Sequence, residues 1–576
     1  MRICYLYSMR IIVILFIWLL GCKPSSNQNT VAPKQETVDY FSNRNHGVIG
    51  DSAMVVSAHP EASKVGMAIL QQGGNAVDAA IAVQFALAVV YPNAGNIGGG
   101  GFMVTRMKDG SSNALDFREK APSTASRDMF INPANGEVNR KLIETSHLAS
   151  GVPGSVAGMW EAHQKYGSMD WKKLLQPAIE LAQKGFPITA HQAEDFNQLQ
   201  AELKQLNKGK NYFIKSKWNA NDTLIQTDLA TTLIAIRDNG RDGFYTGPVA
   251  EKIAAEMQQH NGIITTDDLK NYQAVWREPI KGTYKNYTII SMPPPSSGGI
   301  ALMQLLNMME NYPLKKWGFH SVNSVSIMTE AEKRVYADRA TWLGDPDFTK
   351  VPKNELISKS YSASRMQNVD TNTVTPAAQI KAGTFTGYES EETTHFSIVD
   401  KYGNAVSITT TLNDSYGSRI IVNGCGFILN NEMDDFSAKP GEPNLYGLIG
   451  GEANAIAPGK RMLSSMTPTI VEKDGQLFMV VGTPGGSTII TSVFQNIINV
   501  IEFDMTMQEA VDAPRFHNQW LPDEIKIEND FNETTVAALK AKGYKITDRE
   551  AIGRVDAILV YPNGKLEGAA DKRGDD

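Results

Sequence analysis

TTHFSIVDKYGNAVSITTTLN, residues 393–413, is the stretch that decides the fold. It contains two runs rich in Thr, Val and Ile, a composition typical of β-strands. Lys401-Tyr402-Gly403 separates the runs and is a short, glycine-containing loop of the kind that closes an antiparallel hairpin. The sequence therefore predicts a hairpin, although threonine in a strand indicates no function by itself.

The register of this hairpin determines which side chains meet at its open end. If Asp400 lies opposite Asn404, the pairing places Thr393 opposite Thr411. Side chains alternate between the two faces of a strand, so Thr411 and Asn413 then share a face with Thr393. We expect three polar groups to converge at this end of the hairpin.

The whole chain has the composition of an enzyme-sized α/β protein. Its 576 residues are 42% hydrophobic and 20% charged, which is close to the average for globular proteins. The net charge is −7, so the chain lacks the basic excess that binding to a nucleic-acid backbone requires. No HExxH or CxxC spacing occurs, and we expect neither a bound metal nor a cofactor.

Three cysteines occur, Cys4, Cys22 and Cys425. The first two lie in an N-terminal leader, so the body of the protein holds one thiol and an internal disulfide is excluded. We expect Cys425 to be a small packed residue.

Helical and β-type patterns divide the body of the chain. Residues 75–90 are Ala-rich and apolar almost all round, with Asn75 placed to cap and Asp78 in the first turn, and they predict a buried helix. The middle of the chain, 150–371, is mostly helical in pattern, and β-type alternation follows residue 392. The predicted helices there are 174–184, 229–239, 248–259, 300–310 and 322–341, and the predicted strands are 102–106, 393–400, 405–413, 477–482 and 556–560.

The N-terminus has the layout of a secretory signal. Arg2 and Arg10 precede the apolar run 11–20, which is too short to span a bilayer as a helix. Leu19-Leu20-Gly21-Cys22 resembles a bacterial lipobox, which implies cleavage before Cys22 and lipidation of that residue.

We therefore divide the start of the chain into a signal peptide, 1–21, and a lipid-anchor Cys with a polar tether, 22–45. Met9 is an alternative start, and a simple cleaved signal is the alternative to the lipoprotein. We expect an exported, periplasmic or cell-envelope protein that meets the membrane through this lipid alone.

Segments spread over the chain together resemble the γ-glutamyltransferase family, whose members are also called γ-glutamyl transpeptidases or glutathione hydrolases. Besides the hairpin, they are DFRE (116–119), NNEMDDFS (430–437), RMLSSMTPTI (461–470), GTPGGS (482–487) and APRFHNQW (513–520). The N-terminal part adds GGNAVDAA (73–80), GVPGSVAG (151–158), GFPIT (185–189) and MPPPSSGG (292–299). The resemblance runs in family order from about Val48 to Asp571.

This resemblance implies the fold and a processing step. The fold would be α/β, a four-layer αββα sandwich of the N-terminal nucleophile hydrolase type. The family is made as one precursor that cuts itself, and the match places the cut between Glu392 and Thr393. The products would be a large subunit, 46–392, and a small subunit, 393–576, which remain together as a heterodimer.

The resemblance also makes Thr393 the nucleophile and Thr411 the hydroxyl that orients it. Cleavage would give Thr393 a free α-amine, whose unperturbed pKa of about 7.7 to 8.0 suits a base that takes the hydroxyl proton. One residue would thus supply both nucleophile and base.

The family's substrate-binding residues can be carried over one by one. A γ-glutamyl donor presents an α-carboxylate and an α-ammonium, which call for a cation with hydroxyls and for acids or amides respectively. The matched α-carboxylate ligands are Arg118, Ser464 and Ser465, and the matched α-ammonium ligands are Asn413, Glu432 and Asp435. The matched oxyanion-hole residues are Gly485 and Gly486, and Tyr446, within 440–452, matches the lid over the pocket.

The expected function is hydrolysis of glutathione and other γ-glutamyl compounds through a γ-glutamyl-Thr acyl-enzyme, with transfer to water or to an acceptor amino acid or peptide. Two alternatives stay open. One is a cephalosporin- or glutaryl-type acylase of the same fold, and the other is an inactive lipoprotein that binds γ-glutamyl peptides.

Overall fold

A β-hairpin forms where the threonine-rich stretch predicts one. Strand Thr394–Val399 pairs antiparallel with strand Ala405–Thr411, and Thr394 lies opposite Thr410. At the turn, the N–H of Asp400 donates to the carbonyl oxygen of Asn404 at 3.0 Å. The predicted register is confirmed, and its continuation places Thr393 opposite Thr411.

The structure is a computed structural model that describes residues 44–381, 393–440 and 451–575. From Asn45 onward the chain forms one compact unit. Its strands are β1 (Val48–Gly50), β2 (Met54–Ser57), β3 (Gly100–Arg106), β4 (Ser112–Asp116), β5 (Phe186–Pro187), β6 (Thr223–Leu224), β7 (Val275–Arg277), β8 (Ile280–Tyr284), β9 (Tyr287–Ser291), β10 (Thr394–Val399), β11 (Ala405–Thr411), β12 (Thr469–Lys473), β13 (Gln476–Gly482), β14 (Phe516–His517), β15 (Ile525–Glu528), β16 (Ile546–Arg549), β17 (Asp556–Val560) and β18 (Leu566–Ala569).

The helices of these residues flank the strands. They are α1 (Pro60–Gln71), α2 (Ala76–Val90), α3 (Arg140–Glu144), α4 (Ser155–Tyr166), α5 (Trp171–Lys184), α6 (Ala190–Leu206), α7 (Thr227–Asn239), α8 (Asp242–Tyr245), α9 (Gly247–Gln259), α10 (Thr266–Asn271), α11 (Gly298–Met309), α12 (Leu314–Trp317), α13 (Val322–Trp342), α14 (Lys353–Leu356), α15 (Lys359–Met366), α16 (Thr488–Phe503), α17 (Met507–Asp512) and α18 (Glu533–Lys542). Short 3₁₀ turns cover His147–Ala149, Ala377–Gln379, Glu432–Asp435 and Glu452–Asn454.

Two antiparallel sheets form the centre. One has seven strands in the order β1-β18-β17-β13-β12-β9-β8, and the other has six in the order β2-β10-β11-β3-β4-β7. The hairpin β10–β11 is central in the six-stranded sheet, between β2 and β3. A residue at its open end is therefore surrounded by protein on both sides.

Alternating side chains show how the layers stack. In β2, Val55 packs with the helices α1, α2 and α5, whereas its neighbours Met54 and Val56 pack with the seven-stranded sheet. Helices α11, α13 and α16 cover the far face of that second sheet. The order helix, sheet, sheet, helix is the predicted four-layer αββα sandwich, and two apolar cores fill the spaces around the sheets.

Helix α2 forms as its sequence predicts. The Asn75 side chain accepts hydrogen bonds from the N–H groups of Val77 and Asp78, and the Asp78 carboxylate accepts one from the N–H of Asn75. This capping box fixes the first turn, and all fifteen residues of the helix are buried. The helix packs directly against β10 and β11 and so supports the hairpin.

Strands β7, β8 and β9 were not predicted. They lie in the part of the chain with a mostly helical pattern, and β8 and β9 join the seven-stranded sheet beside β12. Their sequences are short, and β8 carries an interior Gly282, which normally weakens a strand. Tertiary pairing, rather than local pattern, places them in the sheet.

Helices of the described residues are too short, or too polar, to cross a lipid bilayer.

Candidate active site

The open end of the hairpin holds the predicted nucleophile and its neighbour. Thr393 immediately precedes β10 and is 3% exposed, and Thr411 is the last residue of β11. The Thr411 Oγ1 atom accepts a hydrogen bond of 2.7 Å from the N–H of Asn413. Asn96 also stabilises this end of the hairpin, since its side-chain amide donates to the Thr411 carbonyl oxygen at 2.9 Å.

Asn413 has a backbone conformation that is uncommon for a residue with a side chain. Its φ angle is +77°, in the left-handed region that Asn tolerates better than most residues. Its side-chain amide donates to the carbonyl oxygen of Asn431 at 3.0 Å. The hairpin end is thereby joined to the 430–435 segment, which was predicted to bind the donor ammonium.

Arg118 lies at the centre of the predicted donor pocket, just beyond β4. It is fully buried, and its guanidinium forms ion pairs with both Glu432 and Asp435. Its Nε donates to the carbonyl oxygen of Met462 at 3.3 Å and its Nη2 to that of Leu463 at 3.2 Å. The residues assigned to carboxylate binding and to ammonium binding are therefore brought together, although more than 300 positions separate them in sequence.

Ser464 and Ser465 follow directly after the two carbonyl groups that hold Arg118. Ser464 accepts a hydrogen bond from the N–H of Met466 at 3.2 Å, and its carbonyl oxygen accepts one from the Ser297 hydroxyl at 2.7 Å. The Ser465 hydroxyl is buried and has no hydrogen-bond partner among the described residues. A buried hydroxyl without a partner is costly, so this atom is well placed to bind a ligand.

Glu119 is a pocket residue that the sequence analysis did not single out. Its carboxylate is fully buried, one oxygen lies 3.6 Å from Arg118 Nη1, and no N–H or hydroxyl of the described residues donates to it. Burial raises the pKa of Glu119 to about 7, against the lowering effect of Arg118. When protonated, it can donate to Glu432, whose Oε2 also has no partner in the described part of the chain. The sequence contains a signal for Glu119, since this acid directly follows Arg118 in the DFRE segment.

Acidic side chains outnumber basic ones around Arg118. Glu119, Glu432 and Asp435 surround the single guanidinium of Arg118. Burial and the neighbouring carboxylates also raise the pKa of Glu432 well above its usual range. A cationic group entering this pocket would lower those pKa values and stabilise the ionised acids.

Gly485 and Gly486 lie between β13 and the start of α16. Their φ angles are +129° and +54°, which favour glycine. A Cβ on Gly485 would lie 2.5 Å from the Oγ1 of Thr488, a residue whose hydroxyl donates to the Gly485 carbonyl oxygen at 2.7 Å. The backbone here can approach a substrate closely, and the N-terminal N–H groups of α16 favour developing negative charge.

Comparison with known proteins identifies the family. A family model described as Gamma-glutamyltranspeptidase matches residues 62–576. The chain belongs to the γ-glutamyltranspeptidase family. A protein named glutathione hydrolase proenzyme, from Escherichia coli strain K12, is 50% identical over 534 residues, which are 92% of each chain.

Solved structures agree on the fold. A cephalosporin acylase from Bacillus halodurans is 26% identical, with a TM-score of 0.81 over 95% of this chain and 98% of that one. The Helicobacter pylori γ-glutamyltranspeptidase is 44% identical, with a TM-score of 0.56 over 60% of this chain and 97% of that one. These matches support the N-terminal nucleophile hydrolase sandwich.

Two histidines near the site lie inside hydrogen-bonded networks. His395 is fully buried, and its ring nitrogens contact the hydroxyls of Thr409 at 2.9 Å and Ser397 at 3.0 Å. His517 is also fully buried and contacts Thr491 and Gln519. Burial lowers the pKa of each to about 3, so both are neutral near pH 7 and serve the packing of the sandwich.

Cys425 is buried, and burial raises the pKa of its thiol to about 11. It therefore stays protonated near pH 7 and is a poor nucleophile. Three other predicted residues, Cys22, Glu392 and Tyr446, lie outside the described residues.

Proposed function

We propose that the protein is a self-processed γ-glutamyl hydrolase and transpeptidase with Thr393 as its nucleophile. Family membership supports the class of enzyme. The substrates would be glutathione and other γ-glutamyl compounds, and the γ-glutamyl group would pass to water or to the amine of an amino acid or peptide. No cofactor takes part in this scheme.

The observation that carries the proposal is the charge pattern around Arg118. The buried Arg118 guanidinium is paired with Glu432 and Asp435 and is held by the carbonyl oxygens of Met462 and Leu463, and the Ser465 hydroxyl, which has no partner among the described residues, follows two residues later. The α-carbon of a γ-glutamyl group carries a carboxylate and an ammonium close together. The carboxylate would bind Arg118 and the serines, and the ammonium would add a second positive charge to a group of acids that shares the Arg118 guanidinium.

Cleavage between Glu392 and Thr393 would create the active nucleophile. An internal threonine has no base beside its hydroxyl, whereas an N-terminal one carries its own amine. The residues 46–392 make up roughly 60% of the sequence, and the solved Helicobacter pylori chain, itself covered to 97%, matches 60% of this chain. This agreement supports a large subunit, 46–392, and a small subunit, 393–576, that form a heterodimer.

The reaction would proceed in two acyl-transfer steps. Thr393 Oγ attacks the γ-carbonyl carbon while the Thr393 amine takes the hydroxyl proton. The C–N bond of the donor then breaks, and that proton goes to the departing amine, which leaves a γ-glutamyl ester on Thr393. Water or an acceptor amine attacks the ester and regenerates the hydroxyl. The register of the hairpin places Thr411 opposite Thr393, and the Thr411 hydroxyl would hold Thr393 in position.

The backbone N–H groups of Gly485 and Gly486 would bind the oxyanion that forms in each step. Loss of one such donor typically costs about 100- to 1,000-fold in rate. Their place at the start of α16 adds the favourable end of a helix dipole.

Acylase activity is the second candidate, because the chain is similar to a cephalosporin acylase over almost its whole length. A glutaryl group has no ammonium, so it would leave Glu432 and Asp435 without a cationic partner from the substrate. The acids of this pocket therefore favour γ-glutamyl donors over glutaryl donors.

Export and anchoring complete the proposal. The leader 1–21 and the lipobox-like Cys22 support a lipoprotein of the periplasm or cell envelope, held through its N-terminal lipid. Tyr446 would cover the donor pocket as part of the 440–452 lid.

Two chromogenic substrates test the function. The purified protein should release amine from a γ-glutamyl anilide at least about 100-fold faster than from the glutaryl anilide, measured as kcat/KM. Asp435→Asn should lower kcat/KM for the γ-glutamyl substrate and leave the glutaryl value unchanged or raised. The opposite preference would favour the acylase, and an uncut chain that turns over neither substrate would favour a binding lipoprotein.

A further inference from the structure

A second cluster of chemically active side chains lies outside the donor pocket. It consists of His147, Glu256 and His260, whose ligand-type atoms all lie within 4.8 Å of one another. The proposed acyl-transfer reaction makes no use of any of these three residues. We propose that the cluster binds a divalent transition-metal ion of the zinc type.

The distances between the ligand atoms fit a metal site. His147 Nε2 lies 3.1 Å from Glu256 Oε1, and His260 Nε2 lies 3.5 Å from the same oxygen. In a tetrahedral zinc site, with bonds of about 2.0 to 2.2 Å, neighbouring ligand atoms are about 3.3 Å apart. Two of the three ligand pairs therefore already have the spacing of a zinc site.

The third pair of ligand atoms consists of one nitrogen from each histidine. Their rings stack with centroids 4.6 Å apart and an interplanar angle of 17°. His260 has 40% of its side chain exposed, so its ring can turn to bring its nitrogen closer to that of His147. His147 and Glu256 are held more firmly, since their side chains are only 8% and 11% exposed.

Two structural elements bring the three side chains together. Glu256 is in the last turn of α9, and His260 caps that helix, so a spacing of four places both on one face. His147 is the first residue of the 3₁₀ turn His147–Ala149, and its ring faces Glu256 and His260. The carbonyl end of α9 carries partial negative charge, which favours a bound cation.

The Glu256 carboxylate has a fixed orientation. The Asn423 N–H donates to Glu256 Oε2 at 3.4 Å, whereas Oε1 faces the two rings, 3.1 Å from His147 Nε2 and 3.5 Å from His260 Nε2. A carboxylate whose second oxygen is held by a hydrogen bond in this way is typical of metal sites.

Two imidazoles and one carboxylate form a donor set that suits zinc, nickel or copper better than calcium or magnesium. The exposed side of His260 leaves a fourth position for water. Asn423 belongs to the segment that follows Thr393, whereas the three ligands precede it. A metal here would therefore strengthen the contact between the two proposed subunits as well as the fold around α9.

Metal binding to the purified, untagged protein tests the proposal. Equilibrium dialysis against micromolar Zn²⁺ should load one ion per molecule, and Zn²⁺ should raise the thermal midpoint of unfolding. His147→Gln, Glu256→Gln and His260→Gln should each weaken Zn²⁺ binding at least tenfold. Co²⁺ should give the visible absorption of a four- or five-coordinate site in the wild type and lose it in the three variants.

A matched control separates a site from scattered surface histidines. His191 lies 4.0 Å from Asp195, four positions along its helix, and is 56% exposed, but no third ligand from the described residues joins the pair. His191→Gln should bind Zn²⁺ like the wild type. If the wild type binds no Zn²⁺ in dialysis, or if the three variants bind it as tightly as the wild type does, the cluster is an ion pair and the proposal is wrong. Because dialysis does not depend on turnover, a failure of the proposed enzyme activity would not affect this result.

Discussion

Thr411 and Asn413 are linked by a hydrogen bond of 2.7 Å from the Asn413 N–H to the Thr411 Oγ1 atom. This bond joins the end of β11 to a residue with a φ angle of +77°, whose side chain contacts the 430–435 segment. The hydroxyl proposed to orient the nucleophile therefore also holds Asn413, a residue of the proposed donor pocket.

Replacing Thr411 by Val should impair both functions of that hydroxyl. The buried Asn413 N–H would lose its acceptor, at a cost of about 1 to 3 kcal/mol in stability. We expect kcat for a γ-glutamyl anilide to fall about 10- to 100-fold, with a smaller effect on KM. Thr411→Ser keeps the hydroxyl and should retain most of the activity. Equal rates for Thr411→Val and the wild type would show that the hydroxyl does not orient the nucleophile.

Arg118→Lys tests whether the guanidinium binds the donor carboxylate. Lysine cannot form the forked contact that arginine makes with carboxylates, and a hydrogen bond to a charged group contributes about 1.5 to 3 kcal/mol. The KM for the γ-glutamyl anilide should therefore rise about 10- to 100-fold. Arg140→Lys is the control, since Arg140 pairs with Asp434 at 3.2 Å in the same segment but is 37% exposed. A similar KM change in both variants would argue against a specific contact with substrate.

The Glu119 carboxyl makes stability depend on pH in a defined direction. Its pKa is about 7 in the folded protein and 4.5 in its ordinary state. Between these values the folded state holds a proton that the unfolded state has lost, so stability decreases as pH rises from 4.5 to 7 and levels off above it. The loss is on the order of 3 kcal/mol.

Thermal unfolding of Glu119→Gln measures this effect. Between pH 5 and pH 8 the wild-type midpoint should fall more than that of Glu119→Gln, because glutamine does not titrate. The exposed Glu251 provides the control, and Glu251→Gln should follow the wild type. If all three proteins show the same pH dependence, Glu119 does not carry a raised pKa.

Gly485→Ala tests the proposed oxyanion hole. The added methyl would lie 2.5 Å from Thr488 Oγ1 on a residue with a φ of +129°, so the Gly485 backbone or the Thr488 side chain must shift, which would disturb the proposed N–H contact with the substrate carbonyl. We expect kcat to fall at least about 100-fold. Gly475→Ala is the control, since Gly475 has a φ of +79° in the β12–β13 turn, where a Cβ meets nothing within 4 Å. A rate loss of the same size in both variants would point to general backbone strain.

Local patterns were sufficient for the elements that hold the site. The loop between β10 and β11 and the period-two alternation gave the correct hairpin register. Capping and composition gave α2, because all its faces are buried and its first turn is closed by Asn75 and Asp78. In both cases the contacts that fix the element are close in sequence.

Long-range contacts explain what the residues alone could not predict. Arg118 follows β4, and Glu432 and Asp435 lie more than 300 positions later in the turn after β11, so no spacing in the chain predicts their contact. The cluster of His147 with Glu256 escaped detection for the same reason, since 109 positions separate the two. Resemblance to the family supplied the donor-pocket assignments but not Glu119.

The central claim is that Thr393 becomes an N-terminal nucleophile by cleavage of the chain. Intact-mass and N-terminal analysis of the purified wild type and of Thr393→Ala tests it most directly, with amine release measured on the same samples. The wild type should consist of two pieces, one of which begins at Thr393, and should release amine, while Thr393→Ala stays whole and inactive. A wild type that stays a single chain, or a Thr393→Ala variant that is still cut and active, would contradict the account.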